Sequence, residues 1–588
     1  MSRLRFGIVV TGILLVALAL RIFALNSLSD SIYYDHLLFD ERIYHNWAVQ
    51  IMNGTWKTDA VYEFAPIPAY FTALVYTLFS PDIFILRVVN ILFGISTCLL
   101  ICLAGIEIGG RRIGLFSLVI AAGYTPLIFY SVVPLKTAMS LMLFSLFVWL
   151  FLKLLNYGTR WHEYLLAGLV VGIMLNVRPN YLVVIPPLFG FIIFTGYRDK
   201  LLLSKLVFNN ALLCTGICLS VLPFIVRNYI VADEVALTMS QAGFNLYIGN
   251  NPGNDLPYYR PLPFASSAPF KQGIQFNIEA SKRAGKKLSA QQASAFWMQE
   301  VFQIAQRHPT VFWKKIYQKT LAFFNRFEAG DHYHIGFLSR FVPFFSIPML
   351  SFWIVLPLGM AGMIAGMRKD RKIAACASLF VCYGMTLVAF YGNTRYRLPL
   401  LVILIPLAVY GCEICYKSIK SQRHGRAALI LVVAFIFLVI EFLPLKGTDD
   451  MTAYYNTHAL VLSAQGKNDE SITFWHISSK MNKSYSVYAN LALANNYFKK
   501  GDNRKAVYFL DKIPNNSFGS SNKFELLGDI ALKMRQLDEA ETSYRRSLDI
   551  NSGNMIVWRK LIRLLKSQNR KSAGEESEKL KYISSFYR

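Results

Sequence analysis

Two adjacent carboxylates, Asp40 and Glu41, stand where the chain leaves its first apolar run, in the stretch FDERIYHNWAVQIMNG. A carboxylate at a membrane face can act as a general base that takes the proton of an acceptor hydroxyl. The structural interpretation makes Asp40 the N-cap of a helix and puts Glu41 in its first turn. Both interpretations stay open from these two residues alone, and the first makes Asp40 and Glu41 candidate catalytic residues.

Four arginines at the ends of apolar runs are candidate ligands of an anionic group. Arg395 and Arg397 flank Tyr396 in NTRYRLPL, and Arg178 and Arg227 lie in NVRPNYL and PFIVRNYIV. A guanidinium presents paired donors that match a phosphate. The alternative is that these arginines extend toward lipid head groups. On the first interpretation, the four arginines and Tyr396 bind the phosphate of a lipid-linked donor.

The stretch EAGDHYHIGF offers Glu328, Asp331, His332 and His334 as metal ligands. His-x-His with nearby acids can bind a metal, but no further ligands follow at a set spacing, which favours a packed loop. We therefore assign no metal ligand and leave a divalent metal open as a cofactor. The sequence also has no P-loop, dinucleotide-binding glycine pattern or Ser-His-Asp set, so it contains no recognisable site for a cytosolic nucleotide sugar.

The composition indicates a membrane protein. The chain has 588 residues, of which 54% are hydrophobic and 16% charged, and a soluble core of this length does not bury so much apolar surface. The formal charge of +26 is typical of nucleic-acid binding proteins. Here much of the charge lies in short loops between apolar runs, where it sets membrane topology, so we expect no nucleic-acid partner. All eight cysteines lie in apolar runs, which argues against a disulfide framework.

The apolar runs predict an all-α, polytopic membrane protein with about eleven spans. The predicted spans are roughly 6–25, 82–106, 113–132, 135–155, 162–177, 180–197, 203–226, 336–366, 373–391, 397–416 and 427–445. The first is expected to be a retained span and not a cleaved signal. Residues 66–80 are apolar but short and interrupted by proline, and predict an interfacial or re-entrant helix.

Basic residues at every second connection between spans predict the orientation. They define a cytoplasmic side and leave Asp40, a large loop at 227–335 and everything after 446 on the extracytoplasmic side. We therefore expect a membrane domain at 1–445 and an extracytoplasmic domain at 446–588. The expected location is the inner, or plasma, membrane of a bacterium, with membrane lipid as a partner.

The polar tail after residue 446 is periodic. Similar segments recur at a period of roughly 34 residues, which resembles tetratricopeptide repeats and predicts a helical solenoid. The segments begin at Gly466, Gly501, Arg535 and Gln568, and each has a small residue five places on: Ser471, Ala506, Ala540 and Ala573. Such an array normally binds a partner, here the acceptor, although a spacer role stays open.

The outer motifs together resemble the GT-C membrane glycosyltransferases, in the branch of protein O-mannosyltransferases and aminoarabinose transferases (bacterial glycosyltransferase family 39-like). The resemblance rests on the acidic pair and aromatic helix after the first span, the "NVRPNYL" and "NTRYRLPL" turns, and the "PFIVRNYIV" and "RHPTVFWKKIYQKTLAFFNRFE" segments of the large loop. It covers roughly residues 1–445 and implies a GT-C fold. In that family the first acid of the loop is the catalytic base, and Asp40 matches it.

One position departs from the family pattern. At the second outer turn the family often carries an acid, whereas this chain reads SVVPLKTAMS, with Lys136 and Thr137. No second active-site acid is assigned there, and Glu41 or Glu63 would have to substitute for it in a metal-bound mechanism.

The resemblance implies an inverting glycosyltransferase that moves a sugar from a polyprenyl phosphate to a protein, a lipid-linked saccharide or a surface glycan at the outer face. Two alternatives stay open. One is an oligosaccharide ligase or polymerase that uses a lipid-pyrophosphate donor. The other is a transporter or assembly scaffold without enzymatic activity, although transporters tend to show matching halves and this sequence shows none.

Overall fold

A computed structural model of the protein describes residues 2–55, 61–156, 159–236, 241–266, 268–331, 333–481 and 483–587. The described residues form helices and turns without a β-strand; a single isolated bridge joins Tyr124 and Leu350. The chain divides into two compact units. The first contains Met1–Met239 and Trp313–Lys446, and the second contains Ser240–Phe312 and Gly447–Arg588. This division differs from the expected one because residues 240–312 pack with the C-terminal tail.

The helices of the first unit are α1 Arg3–Ser29, α2 Phe39–Met52, α3 Pro66–Leu78, α4 Ile83–Gly109, α5 Arg111–Ala122, α6 Thr125–Val132, α7 Thr137–Leu154, α8 Trp161–Leu175, α9 Ile185–Arg198 and α10 Leu203–Ala232. The second unit follows with α11 Ala242–Asn250, α12 Pro269–Ala284 and α13 Ala290–Arg307. The chain then continues through α14 Pro309–Phe324, α15 Ile335–Leu338, α16 Phe352–Gly366, α17 Arg371–Ala389, α18 Thr394–Arg397, α19 Leu401–Lys420 and α20 His424–Glu441. Short 3₁₀ turns precede α9, α16 and α19 at Pro179–Val184, Pro343–Ser346 and Leu398–Leu400.

Eight helical segments of the described chain are long and apolar enough to cross a membrane, and α8 and α16 are shorter apolar helices. This pattern confirms an all-α, multi-pass membrane protein. The predicted span at 113–132 is two helices, α5 and α6, because Tyr124 adopts an extended conformation and Pro126 starts a new helix. The predicted span at 336–366 contains two short turns before α16 begins at Phe352.

Close helix contacts build the membrane unit around α7, whose residues are nearly all buried. α8 and α10 cross at glycines: a Cβ on Gly168 would lie 2.3 Å from the carbonyl oxygen of Leu213, and one on Gly216 would lie 2.4 Å from that of Leu165. Only a residue without a Cβ allows the two backbones to approach so closely, as is common between membrane helices.

Two short helices of this unit, α2 and α3, pack together, and α2 carries the acidic pair. α2 packs along α3, with Ala48 of α2 and Ala73 and Tyr76 of α3 in one buried cluster. Pro66 and Pro68 lie in the first turn of α3, where a missing N–H costs nothing. The segment predicted as an interfacial or re-entrant helix is therefore a 13-residue helix packed against the helix of Asp40.

In the tail of the second unit, the described residues form four helix pairs. Its helices are α21 Thr452–Ala464, α22 Asn468–Lys480, α23 Ser486–Lys499, α24 Asn503–Asp511, α25 Ser520–Lys533, α26 Leu537–Ile550, α27 Met555–Ser567 and α28 Ser572–Ser584. The repeated small residues are buried between paired helices; Ala506 and Ala540 have no exposed surface. A Cβ on Gly528 would lie 2.5 Å from the ring of Tyr544, which explains a glycine in that repeat. The identity of these pairs as tetratricopeptide repeats stays a prediction.

Candidate active site

Asp40 lies in the first turn of α2 but does not cap it. The N-cap is Leu38, whose N–H donates to Glu41 Oε2 at 2.9 Å. The interpretation of Asp40 as the capping residue is therefore wrong, because Leu38 is the N-cap and Glu41 accepts the hydrogen bond from its N–H. Phe39, between Leu38 and Asp40, has a φ of 35°, a conformation that non-glycine residues adopt only when their surroundings enforce it. This backbone conformation at the start of α2 determines the direction of the Asp40 side chain.

Asp40 forms an ion pair with Arg395, which lies 355 residues further along the chain. Arg395 Nη1 is 2.9 Å from Asp40 Oδ2, and Arg395 Nη2 is 2.6 Å from Asp331 Oδ2. The Arg395 side chain is 7% exposed, compared with 16% for Asp40 and 25% for Asp331. One buried guanidinium thus holds two carboxylates that keep some access to solvent.

Glu41 points into the protein and supports the site. It is 2% exposed, and both of its carboxylate oxygens accept from the Tyr333 hydroxyl at 3.0 Å. Burial raises the pKa of Tyr333 well above its usual value, and the negative charge of Glu41 raises it further, so the hydroxyl remains a donor. Glu41 therefore connects the start of α2 to the segment that carries Asp331, which is a positioning role.

Tyr396 lies between the two arginines of the site. Its hydroxyl accepts from Arg395 Nη2 at 3.3 Å, and its ring centroid is 5.2 Å from the guanidinium carbon of both Arg395 and Arg178. Arg178 is 4% exposed and donates from Nη2 to Thr137 Oγ1 at 3.1 Å. The structure thus brings Asp40, Arg395, Tyr396 and Arg178, which the sequence singled out separately, into one cluster.

Lys136 joins this cluster from the turn before α7. Its Nζ donates to the Tyr44 hydroxyl at 2.8 Å, and Tyr44 lies one turn after Asp40 on α2. Removal of the amine from water lowers the pKa of Lys136 to about 7, and the positive charge of Arg178 contributes to the same shift. In the sequence Lys136 stands out only because it occupies a position where an acid is expected. Its charge, close to Arg178 and Asp40, makes it a candidate functional residue.

Arg397 occupies a different place from the phosphate-binding role expected of it. Its guanidinium donates to the main-chain oxygens of Phe323 (3.3 Å), Asn325 (2.6 Å) and Phe327 (3.3 Å), and it lies 3.7 Å from the ring centroid of Phe352. Three carbonyl acceptors and an aromatic face engage the fork of donors. Arg397 therefore fixes the end of α14 and the segment that follows it. Arg395 and Arg397, on either side of Tyr396, have different partners.

Arg227, near the end of α10, lies over Tyr62, which belongs to the segment between α2 and α3. Its guanidinium carbon is 4.1 Å from the ring centroid of Tyr62, which in turn is 5.6 Å from Trp47. It also donates from Nη1 to Asn228 Oδ1 at 3.1 Å. These contacts associate Arg227 with the aromatic side of α2 and not with the ion pair of Asp40.

The segment suggested as a metal site has other roles where it is described, and His332 lies outside the described residues. His334 accepts from the Phe337 N–H at 3.0 Å and caps α15; burial lowers its pKa to about 4. Burial raises the pKa of Glu328 to about 7. Asp331 faces Arg395 instead, and its place in an acidic outer segment is the only feature of the sequence that points to this role. No group of three His, Cys, Asp or Glu residues converges within the described chain.

Comparisons with known proteins agree with the motifs over part of the chain. Residues 63–225 match the family described as dolichyl-phosphate-mannose-protein mannosyltransferase. No curated protein sequence matches the chain.

Solved structures of the oligosaccharyltransferase of Archaeoglobus fulgidus show a distant likeness. The apo crystal structure is 12% identical, and the match covers 80% of this chain and 59% of that one, with a TM-score of 0.42. The archaeal oligosaccharyltransferase AglB from the same organism, in complex with an inhibitory peptide and a dolichol-phosphate, is 13% identical, with 78% and 58% covered and a TM-score of 0.43. The chain thus spans less than two thirds of the length of these proteins.

The matched stretch begins beside α3 and runs to the last turns of α10, and it includes Lys136 and Arg178. Over residues 63–225 the chain is therefore similar to the dolichyl-phosphate-mannose-protein mannosyltransferase family, which confirms its resemblance to the GT-C membrane glycosyltransferases.

Proposed function

We propose that this chain is an inverting glycosyltransferase that moves a sugar from a polyprenyl-phosphate donor to a hydroxyl of a protein, a lipid-linked saccharide or a surface glycan. The observation that carries the proposal is the partly exposed carboxylate of Asp40, held 2.9 Å from Arg395 and close to the cations Arg178 and Lys136. A base beside several phosphate-binding cations is what sugar transfer from a lipid phosphate requires.

In this mechanism Asp40 accepts the proton of the acceptor hydroxyl as its oxygen attacks the anomeric carbon. The bond between that carbon and the phosphate oxygen breaks from the opposite side, so the configuration inverts. The electron pair of the broken bond stays on the phosphate, whose negative charge rises by one. Fixed cations that are already oriented stabilise this charge without reorganisation. Arg395 orients Asp40 and separates it from Asp331.

A divalent metal does not fit this site. Metal ions such as Mg²⁺ and Mn²⁺ prefer carboxylate ligands whose oxygens face the ion. Here the carboxylates of Asp40 and Asp331 are both paired with Arg395, and Arg178 and Lys136 add two more positive charges around them. Below pH 7, where Lys136 is protonated, two negative groups among three positive ones repel a further cation, and no step of the mechanism uses a metal.

The proposal includes an orientation. Asp40 and its cluster face the extracytoplasmic side of a bacterial inner membrane, because the basic connections between spans lie on the other side. A cysteine placed at Gly54 should react with a membrane-impermeant reagent in intact spheroplasts, and one at Gln422 should not. Labelling of the Gln422 position alone would reverse the orientation.

The test of the proposed function starts from purified full-length protein in lipid nanodiscs and a panel of polyprenyl-phosphate sugars. Mass spectrometry should detect release of the free polyprenyl phosphate with one of the sugars and an acceptor. Asp40→Asn should lower this rate by about a hundred- to ten-thousand-fold, the range of general-base contributions. Donor binding and folding should persist, because the amide keeps the shape and a hydrogen bond to Arg395.

Glu41→Gln is the matched control for the neighbouring acid. It keeps an acceptor for Tyr333, and we expect it to lower thermal stability more than turnover. Wild-type turnover by Asp40→Asn would remove the base from the mechanism. Release of a lipid pyrophosphate instead of a phosphate would favour the oligosaccharide ligase, and binding without release of any lipid would favour a transporter or scaffold.

A further inference from the structure

A polar pocket lies at the end of the membrane unit opposite Asp40 and its cluster. α7 begins beside that cluster at Thr137, and Leu154 and Leu155 at the other end of the same helix line the pocket. A helix of 18 residues is about 27 Å long, close to the thickness of the hydrocarbon core of a bilayer. The pocket therefore lies near the opposite face of the membrane, and none of its described lining residues belongs to the proposed mechanism.

The walls of the pocket are formed mainly by α8, α9 and α10. It holds about 410 Å³ of empty space, part of which is open to the outside. Asn209 of α10 lines it and is 4% exposed, and no described residue hydrogen bonds to its side-chain amide. Thr195 of α9 also lines it; its hydroxyl donates to the Phe191 carbonyl oxygen at 2.7 Å and keeps the capacity to accept. A buried amide is costly to leave without a partner, so the pocket suits a polar ligand.

The charges around the pocket favour an anion. Lys205 of α10 lines it, is exposed and forms no ion pair among the described residues. Asp199 lines it too, but its Oδ2 is 2.7 Å from Arg371 Nη1, so its negative charge is balanced. α10 begins at Leu203 without a side-chain cap, and the N–H groups of its first turn add positive potential beside Lys205. The surplus charge at the pocket is therefore positive.

The helices that form the pocket also face lipid beside it. On α9, Ile193 and Phe194 are exposed between lining residues. On α10, Val207 and Phe208 are exposed in the same way. Both helices belong to segments that are long and apolar enough to cross a membrane. Polar pockets with basic residues between membrane helices are typical sites for anionic lipid head groups, so a ligand that lies in the membrane suits this one.

We propose that this pocket binds the phosphate of an anionic phospholipid, such as phosphatidylglycerol, in the leaflet opposite Asp40. The Lys205 ammonium pairs with the phosphate, and the Asn209 amide donates to an oxygen of the head group. The acyl chains lie along the exposed faces of α9 and α10. This site goes beyond the proposed function, because the phospholipid is a bound partner of the membrane unit and takes no part in sugar transfer.

Native mass spectrometry of the delipidated full-length protein tests the site. Phosphatidylglycerol and phosphatidylcholine with the same acyl chains are titrated separately, and the first binding step of each is compared. We expect the wild type to bind phosphatidylglycerol more tightly. Lys205→Met should weaken the first phosphatidylglycerol binding step by about tenfold, as loss of a charged hydrogen bond does, and should leave phosphatidylcholine binding unchanged.

Lys369→Met is the matched control. Lys369 is an exposed lysine in the connection between α16 and α17 and does not line the pocket. It lies at the same end of the unit, because Arg371 at the start of α17 reaches Asp199. This variant should bind both lipids as the wild type does.

Glycerol 3-phosphate separates a lipid site from a site for a soluble phosphate, since it carries the phosphate without acyl chains. At the concentration of the lipid it should not displace bound phosphatidylglycerol. Displacement would assign the pocket to a soluble phosphate compound and would overturn the inference.

Equal binding of phosphatidylglycerol by the wild type and a folded Lys205→Met variant would also overturn it. Equal losses in Lys205→Met and Lys369→Met would do the same, because the attraction would then belong to the whole basic face of the protein. If Lys205→Met does not fold, wild-type binding by Lys205→Gln contradicts the inference in its place. None of these measurements requires a sugar donor, so their outcome is separate from that of the function test.

Discussion

Neighbouring residues of the same type have different roles in this site. Asp40 and Glu41 are adjacent, yet one reaches Arg395 with a partly exposed carboxylate and the other is buried against Tyr333. The sequence identified the pair as chemically relevant but not which member faces the site. That depends on the left-handed backbone at Phe39, which no local pattern in the sequence predicts.

Arg395 and Arg397 provide a residue-scale prediction with an internal control. Arg395→Lys cannot hold Asp40 and Asp331 at once, because a point charge replaces a fork. We expect turnover to fall by about tenfold to a hundredfold with a small change in melting temperature. Arg397→Lys loses hydrogen bonds to main-chain oxygens and should mainly lower the melting temperature.

Initial rates and thermal melting of the two variants in nanodiscs provide the measurement, with Arg423→Lys, in an exposed loop, as the neutral control. Equal losses of rate and equal melting temperatures for Arg395→Lys and Arg397→Lys would contradict the separate roles assigned to them.

A pH dependence of donor binding follows from Lys136. Its pKa is lowered to about 7 by burial and by the charge of Arg178, so the ammonium is present below pH 7 and is lost above it. Affinity for a sugar phosphodiester, whose own charge is constant between pH 6 and 9, should therefore fall as the pH rises through 7. Titrations of the wild type and Lys136→Met at several pH values provide the check; the variant should bind weakly and without this pH dependence. A steep fall above pH 7 in Lys136→Met would assign the titration to another group.

At the scale of helices, apolar length predicted most of the membrane elements, because spanning a bilayer imposes a long uninterrupted apolar run. Apolar length did not predict that residues 113–132 form two helices. The extended Tyr124 between them forms a bridge with Leu350, a contact that no local sequence pattern reveals. Apolar length also gave no orientation for α14 within the large loop. Within α14 the burial of two lysines and the exposure of two aromatic residues are the reverse of what a water-soluble helix shows, although Lys314 is exposed there.

On α14, Trp313 and Tyr317 are exposed, at 65% and 62%, whereas Lys315 and Lys319 are buried. The Lys319 amine donates to the main-chain oxygens of Ala389 and Phe390 at 2.9 and 3.2 Å, where it caps the C-terminus of α17. Aromatic residues on the outer face of a helix and lysines on the inner one indicate that its surroundings are apolar. Exposed tryptophan and tyrosine are typical of the aromatic belts of membrane proteins, so we expect α14 to contact lipid.

A photoreactive benzophenone amino acid tests this expectation. At position 313 or 317 it should cross-link to lipid acyl chains, and at position 315 it should cross-link only to protein. Mass spectrometry of the labelled peptide 309–324 identifies the adduct. Absence of lipid adducts at both aromatic positions would put α14 in water and would require another reason for its exposed rings.

At the scale of the whole molecule, the period of roughly 34 residues predicted the helix pairs of the tail, because a small residue is needed wherever paired helices approach. It did not predict that residues 240–312 belong to the same unit. The association depends on scattered contacts between distant residues. The Tyr485 hydroxyl donates to the Tyr259 carbonyl oxygen at 2.6 Å, and the Lys282 amine donates to the Asp549 carbonyl oxygen at 3.1 Å.

The tail is therefore predicted to be required for the order of the large loop as well as for any recruitment of the acceptor. A chain that ends at Lys446 should still insert, since every span precedes that residue, but α12 should lose its packing partner. Proteases cut locally unfolded chain, so limited trypsin digestion should then cleave after Lys282 and Arg283 faster than in the full chain, although both side chains are already exposed on the folded helix. Gly553→Leu should have the same effect with the tail present, because a Cβ there would already lie 3.0 Å from Gln275 Cγ. Gly574→Leu, where the added atom meets open space, should leave cleavage unchanged. Unchanged cleavage at these sites in the truncated chain would mean that residues 240–312 fold without the repeats, and that the tail can be removed from the protein as an independent domain.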